Sequence, residues 1–228
     1  MTKAQNFIEI AHKLGQKQYE LKKVYRRIQD RELFLVAYGN IYANKGATTV
    51  GVDPQDTVDG MSLDRIEKII EKLKNGIYQW QPARRVNIPK GKGKTRPIDV
   101  LVWSDKLLLE VIRMVLEAYY EPQFSEHSHG FRPDKGCHTA LREIYVNWKG
   151  TKWFIEADIR GCFNNIDFNI LLGIISRNIK DNRLSKLLKE MLKAGYTEQW
   201  KYYTTYSGTP QGSGLTPPTM LQTAPIGA

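Results

Sequence analysis

The amino-acid sequence predicts an α+β fold in which hairpins are inserted between helices, and three observations lead to this class. Apolar residues recur at a three-four spacing in several segments, which indicates amphipathic helices. Two other segments, one basic and glycine-punctuated and one aromatic, have the pattern of strand, turn, strand. Hydrophobic residues make up 41% of the 228 residues and aromatic residues 11%, which is enough for a packed core.

The first thirty residues predict one amphipathic helix or two. The apolar positions at helical spacing are Phe7, Ala11, Leu14, Leu21, Tyr25 and Ile28. The other face is basic, with Lys13, Lys17, Lys22, Lys23, Arg26 and Arg27. A loop follows over residues 43–56, "ANKGATTVGVDPQD", because its glycines and proline interrupt regular structure.

The remaining elements follow in alternation. Ser62 is the predicted cap of a helix that Asn75 and Gly76 end. Residues 84–100 predict a strand, a turn and a second strand. Further helices are predicted over 107–118, 137–148, 168–178 and 183–194, with a strand over 152–157 and an aromatic hairpin over 199–208.

The charge of the chain favours a polyanionic partner. Lys and Arg total 34 against 24 Asp and Glu, which gives a formal net charge of +10 and a pI of about 9.5. No apolar run approaches the ~20 residues of a membrane span, and the N-terminus lacks a signal-peptide core. The two cysteines, Cys137 and Cys162, make no disulfide framework. We therefore expect a non-secreted, cytoplasmic protein that no membrane anchors.

The segment "RRVNIPKGKGKTR", residues 84–96, is the richest in cations, with six basic residues and no acid. Its glycines allow close approach to a ligand, and its cations can contact successive phosphates. A P-loop is excluded, because Ile88 stands where that motif requires glycine. The alternative is an exposed hairpin whose lysines only protect a sheet edge.

Two further groups offer metal ligands. His127, His129, Cys137 and His138 lack the paired spacing of a structural zinc site, so turn and helix-face roles are favoured. In "FIEADIRGCFNNID", residues 154–167, an apolar run ends in Asp158, where a hard cation such as Mg²⁺ can take oxygen ligands. Phe163 follows five residues later and can line a pocket. The alternative is that Asp158 caps a turn and Phe163 belongs to the core.

The order of five segments resembles a known family. "NKGATTVGVD", "IPKGKGKTRPIDV", "SHGFRPDKGCHTAL", "FIEADIRGCFNNID" and "GTPQGSGLTP" are similar to successive N-terminal blocks of group II intron reverse transcriptases, also called maturases. The resemblance covers about residues 35–217. It implies the fingers and the beginning of the palm of a right-hand polymerase, preceded by a helical N-terminal extension.

The resemblance also implies roles for single residues. Asp158 is similar to the first catalytic metal-binding aspartate, and the carbonyl of Ile159 to a second Mg²⁺ ligand. Phe163 resembles the steric gate that selects dNTPs, and Lys90 and Arg96 resemble the cations that bind the incoming triphosphate.

Other positions are implied to contact the nucleotide or the nucleic acid. Gln211 and Gly212 resemble the segment that lines the nucleotide site. The positions predicted to contact RNA or the template are Lys45, Arg84, Arg85, Lys92 and Lys94.

The sequence departs from the family after residue 217. The family's palm continues to a Tyr-Ala-Asp-Asp strand, but these 228 residues contain no Asp-Asp pair, and a divergent tail occupies 218–228. The predicted division is therefore an extension with a template-side loop (1–60), fingers (61–150), the start of the palm with a returning fingers segment (151–217), and the tail.

Two functional classes stay open from the sequence. The first is a fragment of a bacterial RNA-directed DNA polymerase that supports splicing and retromobility and is inactive alone, because one aspartate cannot organise a two-metal site. The second is a non-catalytic RNA-binding module that acts as a splicing cofactor. The expected partners are intron RNA, an RNA template with a DNA primer, and dNTP, and a homodimer stays open.

Overall fold

A computed structural model describes residues 2–44, 46–91, 93–159 and 161–209, with the side chains of Cys162 and Phe163 excepted. The helices are α1 (Lys3–Gln16), α2 (Val24–Arg27), α3 (Arg31–Ile41), α4 (Leu63–Lys74), α5 (Trp103–Tyr120), α6 (Cys137–Asn147), α7 (Cys162–Asn165), α8 (Phe168–Asn178) and α9 (Asn182–Lys193). A 3-10 turn, Glu121–Gln123, follows α5.

The strands of the described residues form two small sheets. They are β1 (Leu21–Lys22), β2 (Ala83–Pro89), β3 (Thr95–Val100), β4 (Ile179–Lys180), β5 (Tyr196–Glu198) and β6 (Lys201–Tyr203). β1 and β4 pair in parallel, whereas the larger sheet has the order β3-β2-β5-β6. β2 pairs in parallel with β5, and the other two pairs are antiparallel. The larger sheet therefore joins the basic hairpin to the aromatic one.

Helix α5 lies at the centre of the core. Twelve of its 18 residues are buried, and α1 and α3 both pack against it. A helix that is apolar around most of its circumference requires neighbours on several sides. The same core includes residues of α1 to α5 and of α8 and α9, so it is continuous across residue 60, where the sequence predicted a division. The predicted domain boundaries stay a prediction.

The N-terminal helix joins this core through a close backbone contact. Gly15 of α1 lies against Tyr119 of α5 so closely that an added Cβ would overlap the Tyr119 carbonyl oxygen. At the other end of α1, Thr2 and Gln5 form a reciprocal capping box. The predicted helix of the first residues is confirmed, and the buried Phe7 and Ala11 lie on the face that the spacing indicated.

Long-range hydrogen bonds connect α9 to the rest of the chain. Asp181 caps α9 and also accepts a hydrogen bond from the Tyr25 backbone N–H at 2.8 Å. The Trp80 indole N–H donates to the Leu187 carbonyl oxygen at 3.0 Å. These contacts hold the C-terminal helices against the N-terminal half.

Most predicted elements are confirmed. Ser62 caps α4 by accepting from the Arg65 N–H, and Gly76 follows its end with a φ of +69°. The hairpin of β2 and β3, the helices α5, α6, α8 and α9, and the aromatic hairpin of β5 and β6 all occur near the predicted positions. No helix in the described ranges combines the length and the apolarity that crossing a bilayer requires.

The predicted strand over residues 152–157 is wrong. Residues 151–159 form neither helix nor strand and are exposed throughout. No strand in the described part of the chain lies beside this segment, and a strand cannot form without a partner for its backbone hydrogen bonds. Helix α6 occurs as predicted, but none of its residues is buried. The apolar residues of both segments therefore lack the packing that their pattern indicated.

Candidate functional site

The hairpin of β2 and β3 carries the candidate phosphate-binding cations. Arg96 pairs with Ile88 across the two strands, and the Lys90 N–H donates to the Lys94 carbonyl oxygen at 2.8 Å. Opposed residues of an antiparallel pair share one face, and so do residues two apart along a strand. Lys90, Lys94 and Arg96 are therefore neighbours on one face of the hairpin.

The turn of this hairpin contains two glycines with positive φ angles. Gly91 and Gly93 have φ angles of +80° and +72°, a conformation that strongly favours glycine. An added Cβ would meet nothing within 4 Å at either position. The turn therefore needs these glycines for its backbone conformation, and it leaves the surrounding space open to a ligand.

The three cations have no acidic partner in the described part of the chain. Lys90, Lys94 and Arg96 are exposed, and none forms an ion pair with an acid of the described residues (the ion pairs involve other cations). Uncompensated cations that share a face form a site for a polyanion. The structure thus brings the two predicted triphosphate ligands, Lys90 and Arg96, onto one surface together with Lys94.

Arg85, which the sequence predicted to contact nucleic acid, binds other residues of this protein. Its guanidinium binds both carboxylate oxygens of Asp99, at 2.8 and 3.1 Å. It also lies 3.4 Å from the ring centroid of Tyr196, which stacks on Tyr203. Burial opposes the charged form of Arg85, but the hydrogen bonds and charge of Asp99 leave its pKa raised. Arg85 thus fastens the basic hairpin to the aromatic hairpin.

Arg84 anchors the loop that precedes α4. Its Nε and one Nη donate to the Val50 carbonyl oxygen at 2.9 and 2.6 Å. Lys106 of α5 donates to the carbonyl oxygens of Gly46 and Thr49 at 3.2 and 2.9 Å, and burial lowers the pKa of Lys106. Arg84 and Lys106 therefore hold the described part of the template-side loop. The sequence analysis did not identify Lys106. No local pattern distinguishes this lysine from other surface lysines.

Asp158 and Ile159 lie in the exposed segment between α6 and α7. The carboxylate of Asp158 accepts no hydrogen bond from any described residue, and the described residues contain no group of three metal-ligating side chains. The oxygen donors suit a hard cation in type, but one carboxylate and one carbonyl are too few to hold it. Completing a metal site requires ligands from elsewhere.

The remaining predicted site residues lie outside the described residues. These are Lys45, Lys92, Gln211, Gly212 and the side chain of Phe163. Described residues that precede Gln211 contact described residues that follow Phe163. The Ser207 hydroxyl donates to the Asn164 carbonyl oxygen at 3.0 Å. The Gly208 N–H donates to the Ile166 carbonyl oxygen at 2.9 Å. The chain that leads to Gln211 is therefore joined to the chain that follows Phe163.

A cavity of about 280 Å³ lies between this junction and the base of the hairpin. Its lining includes Arg85, Asp99, Asn164, Tyr196, Ser207 and Thr209. The side chain of Thr209 is buried, and its Oγ1 has no hydrogen-bond partner among the described residues. The structure thus places residues beside the predicted gate next to the base of the predicted phosphate-binding hairpin.

The histidine group serves to position a loop. Glu143 binds the Nδ1 atom of His127 and the Nε2 atom of His129, the latter at 2.7 Å. These hydrogen bonds, with His129 first, lower the pKa of Glu143. In the same loop, Arg132 binds Glu121 at 2.8 Å and lies over the ring of Phe124. The preference for turn and helix-face roles over a metal site agrees with these contacts.

Comparisons with known proteins agree with the motif order. Residues 88–224 match the family described as reverse transcriptase (RNA-dependent DNA polymerase). The chain is 49% identical, over 196 residues, to the group II intron-encoded protein LtrA of Lactococcus lactis subsp. cremoris, covering 86% of this chain and 33% of that protein. It is 46% identical to an uncharacterized 91 kDa protein in the cob intron of Schizosaccharomyces pombe, covering 82% and 23%.

The solved structures with this fold include a partial Cas6-RT-Cas1–Cas2 complex. The TM-score is 0.57 at 19% identity, over 87% of this chain and 33% of that one. This likeness concerns the fold alone. The chain spans about a third or less of the length of the two curated relatives that it matches here.

Proposed function

Because the chain belongs to the reverse transcriptase family, among the group II intron-encoded proteins, we propose that it forms the fingers and the beginning of the palm of an RNA-directed DNA polymerase. The observation that carries the proposal is the face of the hairpin with Lys90, Lys94 and Arg96, which are exposed and have no acidic partner among the described residues. A bound triphosphate supplies the negative charge that balances these three cations.

Lys90 and Arg96 bind the incoming dNTP through its triphosphate. A guanidinium can hold two phosphate oxygens at once and a lysine cannot, so Arg96 is the stricter requirement. Phe163, Gln211 and Gly212 complete the nucleotide site. The hydrogen bonds of Ser207 and Gly208 to the chain after Phe163 support this grouping.

Asp158 and the carbonyl of Ile159 are the ligands that this chain offers to Mg²⁺. The metal would supply charge stabilisation for phosphoryl transfer when it is bound. The chain's own contribution is to hold one carboxylate at the end of the 151–159 segment, and the other carboxylates come from a further part of the polymerase. Under the proposed function, these 228 residues alone are therefore inactive in primer extension.

The nucleic-acid partners are intron RNA and an RNA template with a DNA primer. Lys94, together with the sequence-predicted contacts Lys45 and Lys92, binds the backbone of the nucleic acid. Arg84 and Arg85 act indirectly, because their guanidinium groups position the loop and the hairpin. Splicing, retromobility and a cytoplasmic location belong to the same proposal.

A second candidate, a non-catalytic RNA-binding module, rests on the basic N-terminal surface. Lys17, Lys23 and Arg26 are exposed there and form no ion pair with a described acid. This surface does not involve Asp158. RNA binding that is independent of the polymerase site would use it.

The test is primer extension with a longer protein that contains this chain and the remainder of the palm, beside the 228-residue chain. We expect dNTP incorporation by the longer protein, its loss in Asp158→Ala, and no incorporation by the shorter chain. If Asp158→Ala leaves incorporation unchanged, the assignment of the active site is wrong. If neither protein extends a primer but both bind intron RNA, the second candidate is correct.

A further inference from the structure

The turn of the aromatic hairpin has a backbone conformation that its residues disfavour. Glu198 of β5 pairs with Lys201 of β6, so two residues, Gln199 and Trp200, connect the strands. Their φ angles are +49° and +66°, as in the type I′ turns that close many hairpins. Such turns favour Asn and Gly, because a large side chain in the left-handed region strains the backbone. A glycine in place of Trp200 would relieve this strain.

Trp200 gains no packing inside the described part of the protein. Its side chain is fully exposed, and neither face of its ring lies against an aromatic ring or a cation of the described residues. By contrast, Trp80 and Trp103 are buried in the core. Strained residues cluster at binding sites and active sites. Trp200 is therefore a candidate for contact with a ligand.

The strands below the turn are fixed to the basic hairpin. The rings of Tyr196 and Tyr203 stack with their centroids 5.2 Å apart, and the Arg85 guanidinium lies 3.4 Å from the centroid of Tyr196. Nearer the turn, the Asn87 side-chain amide of β2 donates to the Glu198 carboxylate at 2.7 Å. The turn therefore has a defined position relative to the basic hairpin, which reduces the entropy lost when a ligand binds.

The turn lies at the same end of the sheet as the tip of the basic hairpin. β2 leads to that tip, and β5 pairs with β2 in parallel, so β5 leads to the same end. Arg96 on β3 is two strands from β5 in the order β3-β2-β5-β6. Because neighbouring strands are about 4.8 Å apart, the turn lies roughly 10 Å from the backbone of Arg96. Lys201 adds an exposed cation beside Trp200 and forms no ion pair with a described acid.

The chain continues from the opposite end of the aromatic hairpin. β6 runs antiparallel to β5, so Tyr203 lies at the base of the hairpin. Residues 204–209 lead from this base to the contacts of Ser207 and Gly208 with the chain after Phe163. The described chain therefore approaches the proposed start of the palm from the base, whereas the turn lies at the other end of the sheet, with the basic hairpin.

An exposed aromatic ring beside cations without acidic partners suits an unpaired nucleobase. Sites for single-stranded nucleic acid combine cations that follow the phosphate backbone with aromatic rings on which the bases stack. Docking of a protein would instead favour a contiguous apolar patch, but Trp200 lies between Gln199 and Lys201. The combination of ring and cations therefore favours a single strand of RNA.

We propose that Trp200 stacks on an unpaired base of single-stranded RNA that passes the turn of the aromatic hairpin toward the nucleotide site. This inference rests on the proposed function, because the polymerase reaction supplies the RNA strand, and it adds a binding residue to that function. The strained turn holds the ring in solvent beside the basic hairpin, where a base can reach it.

The proposal is tested with the longer protein that contains this chain and the remainder of the palm. Fluorescence anisotropy measures the Kd for a short labelled single-stranded RNA and for a duplex of the same sequence. We expect Trp200→Ala to raise the single-strand Kd roughly fivefold or more and to change the duplex Kd little. Trp200→Phe keeps a ring and should retain most of the affinity. Tyr145→Ala removes an exposed ring from α6 and should have no effect.

The salt dependence separates stacking from charge. The factor by which Trp200→Ala weakens binding should be the same at about 50 and 200 mM salt, because stacking on a neutral ring releases no counterions. Lys201→Ala should instead reduce the slope of log Kd against log salt. A changed slope in Trp200→Ala would show that the variant displaces the cations, which contradicts the stacking role.

Trp200→Gly gives the sharpest result, because it removes the ring and relieves the strained turn together. We expect it to raise the urea concentration at the midpoint of unfolding, and to weaken single-strand binding as much as Trp200→Ala does. A variant that is more stable cannot owe its loss of affinity to unfolding. A lower midpoint would show that the Trp200 side chain supports the fold, and the proposal would be wrong.

Other outcomes overturn the proposal in distinguishable ways. Unchanged single-strand affinity in Trp200→Ala, in a protein that still extends a primer, excludes the stacking contact and leaves the proposed function intact. Acrylamide quenching that is the same for the RNA-free parent and for Trp200→Phe assigns the ring to a contact with another part of the polymerase. A longer protein that neither binds RNA nor extends a primer contradicts the proposed function, and this inference with it.

Discussion

At the scale of single residues, the structure separates the basic residues of one hairpin into two kinds. Arg84 and Arg85 donate to protein oxygens and hold elements in place. Lys94 and Arg96 are exposed and have no acidic partner among the described residues. The sequence places all of them within thirteen residues, so composition alone cannot distinguish a ligand cation from a structural one.

Arg96 and the lysines at the tip should therefore differ in their effect on catalysis. In a protein that includes the remainder of the palm, we expect Arg96→Ala to raise the KM for dNTP about tenfold or more, because a charge-assisted hydrogen bond contributes roughly 1.5–3 kcal/mol. The Lys92→Ala, Lys94→Ala double variant should instead weaken RNA binding. Steady-state primer extension beside an RNA titration measures both effects.

Arg177→Ala is a suitable control for this comparison. Arg177 is an exposed arginine in the last turn of α8, and its replacement removes the same charge. If Arg96→Ala weakens only RNA binding and leaves the KM for dNTP unchanged, the hairpin is an RNA clamp and the nucleotide site lies elsewhere.

A second residue-scale prediction concerns a buried carboxyl group. Asp105 accepts hydrogen bonds from the Tyr78 hydroxyl at 2.5 Å and the Gln81 N–H at 2.9 Å. Burial raises the pKa of Asp105 to about 7, above its usual 3.8, although both hydrogen bonds act in the opposite direction. The folded state therefore binds a proton that the unfolded state has lost between about pH 4 and pH 7.

The free energy of unfolding should fall as the pH rises through this window. The stabilisation is complete below the pKa that Asp105 has in the unfolded state, and it is lost as the pH rises through the pKa of Asp105 in the folded state. The total loss of unfolding free energy is on the order of 4 kcal/mol. Urea unfolding between pH 4 and pH 8 measures it. Asp105→Asn cannot titrate, so its unfolding free energy should lack this decrease. Parallel pH profiles for the two proteins would contradict the assignment.

At the scale of elements, the packing of α1 on α5 depends on a missing side chain. Gly15 brings the two backbones together at Tyr119, and α1 carries its apolar face into the same core as α5. The three-four spacing predicted which residues of α1 are buried. It did not predict the closeness of the two helices, because that depends on the partner.

Two glycine-to-alanine substitutions test this contact. Gly15→Ala should destabilise the fold by about 1–3 kcal/mol, because the added methyl group overlaps a backbone carbonyl that cannot move away. Gly39→Ala in α3 should instead stabilise it by up to about 1 kcal/mol, since Gly39 has nothing within 4 Å of an added Cβ and alanine has the higher helix propensity. Chemical denaturation measures both, and equal effects of the two substitutions would show that the close packing is not limiting.

At the scale of the whole molecule, the proposed interaction with nucleic acid depends on the net charge and on where the exposed cations lie. The chain carries a formal charge of +10, and its exposed cations occur both on the N-terminal helices and at the hairpin. Acids such as Glu110 and Glu117 are paired with Arg113 on α5. The excess cations therefore lie where a polyanion can reach them.

RNA binding should accordingly weaken steeply with salt. For about six phosphate contacts we expect an affinity loss of roughly a thousandfold between about 50 and 200 mM salt, because binding releases counterions. Titrations with intron RNA at several salt concentrations measure the slope. Lys17→Ala with Arg26→Ala should reduce the slope by about 1–2 if the N-terminal surface takes part. A flat salt response would contradict an electrostatic interface.

The sequence by itself determined the local structure and the family. Periodicity, caps and glycines predicted α4, α5, α8, α9 and both hairpins, because these signals act over a few residues. The order of five motifs predicted the reverse transcriptase relationship, which the comparisons confirm. The predicted roles of Asp158, Phe163 and Gln211 stay predictions.

Only the tertiary structure decided which of the basic and apolar residues contact other parts of the chain. It assigned Arg85 to Asp99 and Tyr196, and Arg84 and Lys106 to the loop, because partners far apart in sequence meet only after folding. It also left residues 152–156 without a strand partner in the described part of the chain, although their apolar pattern requires one. A strand is a property of two segments, and a local sequence pattern describes one of them.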